Sequence, residues 1–281
     1  MTEHTGAKRS RGRPRSIWTE PQGTLVQALD RGLRVLAVLA NEGQITLTKL
    51  APKVDMPAST VHRLLTTLQK HGFAAFDEMT QDWMIGVEAF RIGNSFAHRT
   101  SLIEAGRKVM HNLMEETGET ANLAIADNGE IVFVNQVETH NPIRAFFRSG
   151  TRSHMHVSGI GKALLSAMPH GEVERILRDK GLPAFTPTSL TSSQALFRDL
   201  ETIRQIGWSF DNEERYSGMR CVASTIYNAF GEAVAGISVS GPTVRFSSET
   251  VRALGPKVRQ AANEVTTMIG GKAPGSTDEQ S

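Results

Sequence analysis

The stretch Gln44–Asp77, QITLTKLAPKVDMPASTVHRLLTTLQKHGFAAFD, constrains this chain more than any other. Proline forbids helix continuation through its own position, so Asp55-Met56-Pro57 must separate whatever helices lie on either side. Beyond it Val61, Leu64, Leu65 and Leu68 fall at i, i+3, i+4 and i+7, a one-sided apolar stripe of helical period. The other face carries Ser59, Thr60, His62, Arg63, Thr66, Thr67 and Lys70, with no acid among them. A short helix is expected before the proline, over Leu47–Val54, with Thr46 capping it through its side-chain oxygen. Two helices about a tight turn, the second with a polar, cation-bearing face, describe a helix-turn-helix. Phe73–Ile85 then reads as two short strands around Glu78-Met79-Thr80-Gln81-Asp82, a wing. Upstream, Thr24–Asn41 is an amphipathic helix with Leu25, Leu29, Leu33, Leu36 and Leu39 along one face, ending near Gly43. It is expected to pack behind the other two helices, or to contribute to a dimer contact.

Charge is distributed as a nucleic-acid partner requires. Residues 1–76 hold eleven Lys and Arg against five acids, a net +6 in a chain whose total is +2, which leaves the remainder acidic. Cations gathered beside a helix-turn-helix neutralise phosphates and release their counterions. Residues 1–23 are polar, without periodicity, and read as a disordered basic arm. Within them Arg11-Gly12-Arg13-Pro14-Arg15 is a flat cationic strip suited to a narrow minor groove, although such a run also serves as a solvated basic tail. The single cysteine, Cys221, excludes an internal disulfide, and no long apolar run suggests export or membrane spanning. A cytoplasmic protein is the expectation.

The 281 residues allow two domains. Val87–Thr117 is helical with a break near Arg99–Ser101, which separates a linker helix (87–100) from a second domain (101–271); residues 272–281 read as a disordered tail. Two β-rich runs, Ala121–Ala126 and Ile131–Val137, flank Asp127-Asn128-Gly129 and describe a hairpin. Further strands are expected at Ile143–Arg148, Ser209–Glu213, Cys221–Tyr227 and Val234–Ser240, with helices at Lys162–Ala167, Gly171–Asp179, Gln194–Gly207 and Ser248–Ile269. This is an α+β sensor domain with an antiparallel sheet.

Few residues there suggest chemistry. Ser158-Gly159-Ile160-Gly161-Lys162 is no Walker A loop, because His156 and Ala163 stand where that loop needs glycine and a hydroxyl. A glycine turn opening a helix still offers backbone N–H groups to a carboxylate, or simply permits close packing. Ser238 and Ser240 share one face of a strand, towards an anion or towards solvent. Asp211-Asn212-Glu213-Glu214 lacks a nucleophile with an adjacent base and reads by default as a solvated turn. Cys221 reads as a buried small hydrophobe. His154 and His156 could join it as zinc ligands, but no metal site is assigned.

In combination these segments resemble the IclR family of bacterial transcriptional regulators over residues 24–271. The resemblance rests on Arg31-Gly32-Leu33-Arg34-Val35-Leu36, Ser59-Thr60-Val61-His62-Arg63-Leu64-Leu65, and His156-Val157-Ser158-Gly159-Ile160-Gly161-Lys162-Ala163-Leu164-Leu165. It rests also on Gly207-Trp208-Ser209-Phe210-Asp211-Asn212-Glu213-Glu214, Gly218-Met219-Arg220-Cys221-Val222-Ala223 and Ile237-Ser238-Val239-Ser240-Gly241-Pro242. It implies a winged helix-turn-helix (24–86), a linker helix and a GAF-like effector domain, assembled as dimers or tetramers on palindromic double-stranded DNA. The glyoxylate-responsive members are the nearest in kind. Their pattern implies a small carboxylate, glyoxylate among the 2-oxo acids, bound by the backbone of Gly159 and Ile160 with Asp211, Cys221, Ser238 and Ser240. On the DNA side, Thr46, Ser59, Thr60, His62 and Arg63 are expected at the major groove and its phosphates, with Arg11 and Arg13 in the minor groove. The alternatives are a sensor of aromatic carboxylates within the same family and, further off, an enzyme with an accessory DNA-binding domain.

Overall fold

The computed structural model describes residues 26–99 and 101–273, with side chains from 26–93 and 102–273. They fall into two compact units that divide between Phe96 and Ala97.

The first unit runs α1 (Gln27–Glu42), β1 (Gln44–Thr46), α2 (Leu47–Lys53), α3 (Ala58–Lys70), β2 (Ala74–Asp77), β3 (Asp82–Ile85) and the start of α4 (Val87–Arg99). Gly43 closes α1 at φ 77°, and Asp55 makes the turn into α3 at φ 54°, both in the left-handed region. The stripe on α3 does what its period requires: Val61 and Leu65 are fully buried with Leu39, Leu50 and Trp83. The strands form an antiparallel sheet in the order β1-β3-β2, the wing being β2 and β3. β1 was not expected; it is three residues pinned by buried Ile45 opposite Trp83.

Two expectations need correction. Thr46 stands at the N-cap of α2 but caps no amide; its hydroxyl lies 3.1 Å from Thr48 Oγ1. Nor do the leucines of α1 all pack inward. Val35 and Leu39 are buried, whereas Leu29 and Leu33 are 61% and 57% exposed, because only the C-terminal half of α1 reaches this core.

The second unit contains α5 (Ser101–Thr117), β4 (Thr120–Asp127), β5 (Glu130–Val137), β6 (Arg152–His154), α6 (Gly159–Ala167), α7 (His170–Lys180), α8 (Ser193–Ile206), β7 (Ser209–Asn212), β8 (Met219–Tyr227), β9 (Ala233–Pro242) and α9 (Ser248–Met268). Its six strands form one antiparallel sheet ordered β6-β5-β4-β9-β8-β7. The β4–β5 hairpin turns through Asn128 and Gly129 at φ 51° and 74°, the pair of left-handed residues that a tight two-residue turn demands. Alternation along the strands divides the core. Val222, Ile237 and Val239 face α5 and α9, whereas Cys221 and Ala223 face α6 and α8. Ser238 and Ser240 therefore point to the α6 side.

The strand expected at Ile143–Arg148 is absent; the segment is irregular. Pro142 at its start has no N–H for a ladder, and Phe147 leaves the pairing direction to stack on Phe133, with ring centroids 4.5 Å apart. The sheet edge is taken instead by β6, three polar residues without the alternation that announces a strand. No helix among the described residues is long and apolar enough to cross a membrane.

Candidate nucleic-acid interface and ligand pocket

On α3 the residues Ser59, His62 and Arg63 are exposed and Thr60 is half-buried. Thr66 and Thr67 are turned back on their own helix, donating to the carbonyls of His62 (2.9 Å) and Arg63 (2.8 Å). The outward chemistry is thus concentrated in the first half of α3. Thr60, His62 and Arg63 line an open cleft of about 510 Å³ together with Arg31 of α1. Sequence reasoning missed Arg31, because only the crossing of α1 over α3 brings it there. Thr46 is half-buried, and Arg11 and Arg13 lie outside the described residues.

In the second unit the glycine turn is first a packing device. A Cβ on Gly161 would stand 2.3 Å from the Met155 carbonyl oxygen, and one on Gly159 would stand 2.9 Å from Cys221 Sγ. Gly159 lets the start of α6 press onto β8, and Gly161 lets it close against the Met155 backbone just before it. That approach carries the amides of Gly159 and Ile160, which precede the first intrahelical bond (Lys162 N to Ser158 O, 2.8 Å), to the sheet. Ser158 caps the helix, its Oγ accepting from Gly161 N at 3.3 Å.

Register does the rest. Asp211 stands opposite Cys221, and Cys221 opposite Ser240; one step along, Ala223 stands opposite Ser238 and Ser238 opposite Asn122. Gly159, Ile160, Asp211, Cys221, Ser238 and Ser240 all line one cavity of about 30 Å³, walled by Phe133, Phe147 and Tyr216. All six expected residues therefore meet in one place. Asn122 was missed, although it is the polar residue within the apolar run Ala121–Ala126 of β4. Its amide donates to Ser240 Oγ (3.2 Å) and Ser238 Oγ (3.4 Å), and its Oδ1 accepts from Gln136 at 2.8 Å. With one lone pair of each hydroxyl engaged by Asn122, each still has an O–H to donate, to Cys221 beside it or to an acceptor in the cavity.

The acidic turn is not solvated as its composition suggested. Glu214 is buried, 2.6 Å from Nζ of Lys162, itself 1% exposed. That ammonium also meets Asp199 at 2.8 Å and donates to the Phe210 carbonyl at 2.6 Å. Burial alone would lower its pKa, but Glu214 and Asp199 outweigh burial and hold it charged, above the usual lysine range. Beside this cluster Asp211 has its pKa raised to about 7 by burial and by Glu214, with Lys162 opposing. Burial and Asp211 push the Cys221 thiol up to about 12, so it stays protonated. His154 and His156 pack with rings 5.7 Å apart, and His156 Nε2 lies 3.1 Å from the Pro183 carbonyl oxygen. No group of three or more metal-ligating side chains is found among the described residues. The arrangement is a small cavity of donors with one acid of adjustable protonation.

Comparison with known proteins is consistent across both units. The family described as IclR helix-turn-helix domain matches residues 28–78, and that described as bacterial transcriptional regulator IclR C-terminal matches residues 94–267. The HTH-type transcriptional regulator BhcR of Paracoccus denitrificans is 47% identical over 262 residues, 92% of this chain and 94% of its own length. The transcriptional repressor IclR of Escherichia coli is 40% identical, covering 93% and 96%. The repressor AllR of Escherichia coli is 36% identical, covering 94% and 98%. Among solved structures, an IclR homologue from Microbacterium hydrocarbonoxydans complexed with 4-hydroxybenzoate shares the fold at TM-score 0.76 and 22% identity, covering 86% of this chain and 98% of its own.

Proposed function

Because the chain belongs to the IclR family of bacterial transcriptional regulators, we propose that it reads a palindromic operator through α3 and adjusts that binding to glyoxylate. It is a DNA-binding regulator with a helix-turn-helix, not an enzyme. The observation that carries the effector assignment is the cavity's size and polarity. About 30 Å³ is room for on the order of two to three water-sized groups, nearer in scale to a two-carbon acid than to an aromatic one. A benzoate ring would have to displace the stacked pair Phe133 and Phe147. The amides of Gly159 and Ile160 and the hydroxyls of Ser238 and Ser240 supply donors for a carboxylate, and Cys221 completes the wall.

On the DNA side Ser59, Thr60, His62 and Arg63 face the major groove, Thr46 a phosphate, and Arg11 and Arg13 the flanking minor groove. Exposed Val26 just before α1 and Leu29 and Leu33 on it, with Val87 and Phe90 on α4, support a homodimer or a homotetramer built from it, as a palindrome requires. The winged helix-turn-helix (24–86) and effector domain (101–271) are joined through α4, the element suited to carry a change from one to the other. The protein works in the cytoplasm, where its DNA is.

Asp211 makes the reading testable through pH. An anion beside it favours the protonated carboxyl, so above about pH 7 each glyoxylate taken up must bring a proton. Glu214, Glu213 and Lys162 also face Asp211; of these the buried Glu214 and Lys162 compensate one another. Affinity measured by isothermal titration calorimetry is expected to be flat below pH 6. Above pH 7 it falls by up to about tenfold per unit, and Asp211→Asn abolishes the slope. Identical profiles in the two proteins, or no glyoxylate binding at all, would contradict the assignment.

A further inference from the structure

We propose that Arg215 holds the effector's carboxylate, an assignment that rests on the effector reading of this cavity and names the charge class it accepts. Arg215 follows Glu214 in the turn between β7 and β8 and lines the same cavity as Asp211, Cys221 and the two serines. It is the one cation among the described residues that do so. Its guanidinium carbon lies 3.7 Å from the centre of the Phe185 ring and 5.4 Å from that of Tyr216. Stacking occupies the face of the guanidinium and leaves its donors in the plane, the geometry of a fork that takes a carboxylate by two parallel bonds.

Two of those donors, Nε and Nη1, are buried without a hydrogen-bond partner among the described residues; they lie on different edges of the group, and either forms a fork together with Nη2. A buried charged donor left unpaired is costly and rare, and calls for an acceptor. None of the acids of its own turn pairs with it, although Glu214 Oε2 is itself buried without a partner. Glu214 binds Lys162, Glu213 accepts from Gly218 N at 2.7 Å, and Asp211 Oδ1 accepts from Glu214 N at 2.8 Å. An anion entering the cavity from solution meets the need. The pairing also adds to what protonation of Asp211 provides, since a carboxylate held beside Asp211 by neutral donors alone is repelled, and Arg215 offsets part of that repulsion.

The test is calorimetric titration of the full chain with glyoxylate, pyruvate and 4-hydroxybenzoate, alongside melting temperature and operator affinity. Arg215→Met is expected to weaken the acid that the natural protein binds by roughly 10- to 100-fold, leaving melting and bare operator affinity in place. Arg215→Lys keeps the charge but loses the fork, and falls between the two. Unchanged acid affinity in Arg215→Met overturns the assignment, as does a loss matched by an equal fall in melting and DNA affinity with no recovery in Arg215→Lys. Should pyruvate or 4-hydroxybenzoate bind and glyoxylate not, the glyoxylate reading fails and the same variants test Arg215 on the acid that binds. If none of the three acids binds the natural protein, both readings fall.

Discussion

Replacing Lys162 by methionine is expected to destabilise the second unit by about 3–5 kcal/mol, the largest single effect foreseen for any position outside the apolar core. The side chain is 1% exposed, with Nζ between Glu214 at 2.6 Å and Asp199 at 2.8 Å. Methionine matches its length and apolar stem, so the loss isolates the charge. Two carboxylates would remain facing one another, with Glu214 still buried. Adding Glu214→Gln to Lys162→Met should restore a substantial part of the loss, because the second change removes one of the stranded charges. The urea midpoint of the transition belonging to the second unit is the measurement, since two-unit chains need not unfold in one step. A shift below about 1 kcal/mol would mean that water or rearrangement reaches Lys162, and the pocket's charge balance would need revision. The pH above which glyoxylate affinity begins to fall should rise as well, because Lys162 opposes the upward push of burial and Glu214 on Asp211.

Arg63→Ala is expected to weaken operator binding by about 1–3 kcal/mol, roughly five- to 150-fold, and to relax preference at one base position in each half-site. Arg63 is exposed at the outward, first half of α3, and forms no ion pair among the described residues. Thr66 and Thr67, which follow it, are tied to their own backbone and cannot substitute. Arg11→Ala with Arg13→Ala should act differently if the arm tracks the minor groove, weakening most on A·T-rich flanks. Anisotropy titrations at two salt concentrations separate base reading from phosphate contact. Equal weakening on every sequence with a flatter salt dependence would assign Arg63 to a phosphate instead.

What could be read from the sequence follows from the range of the forces involved. The stripe Val61-Leu64-Leu65-Leu68 and the turn Asn128-Gly129 are local, and each formed as its spacing required. Ile143–Arg148 misled because its apolar residues mimic a strand while Pro142 and the stacking of Phe147 on Phe133 take it elsewhere. β1 and β6, three residues each, carry too few side chains for a pattern. The ligand site was recognisable as a family motif, and Ser238 and Ser240 do share a face, but spacing alone left glycines and serines open to bland readings. Lys162, Asn122 and Arg215 stayed hidden for one reason. Each is a polar side chain whose meaning lies in distant partners, Lys162 with Glu214 and Asn122 with Ser240, 52 and 118 residues away. No local period records such a pairing.

The central claim is that a small acid in the second unit governs DNA binding by the first, which requires different affinities for the acid in two arrangements of the protein. Its most direct test is fluorescence anisotropy on DNA from upstream of the protein's own gene, at fixed salt, with glyoxylate titrated in. The natural protein is expected to change its apparent operator affinity with glyoxylate. Ser238→Ala with Ser240→Ala should bind the bare operator as well as the natural protein does and show no response. A double variant that still responds, or a natural protein whose operator affinity is the same with and without glyoxylate, would contradict the account.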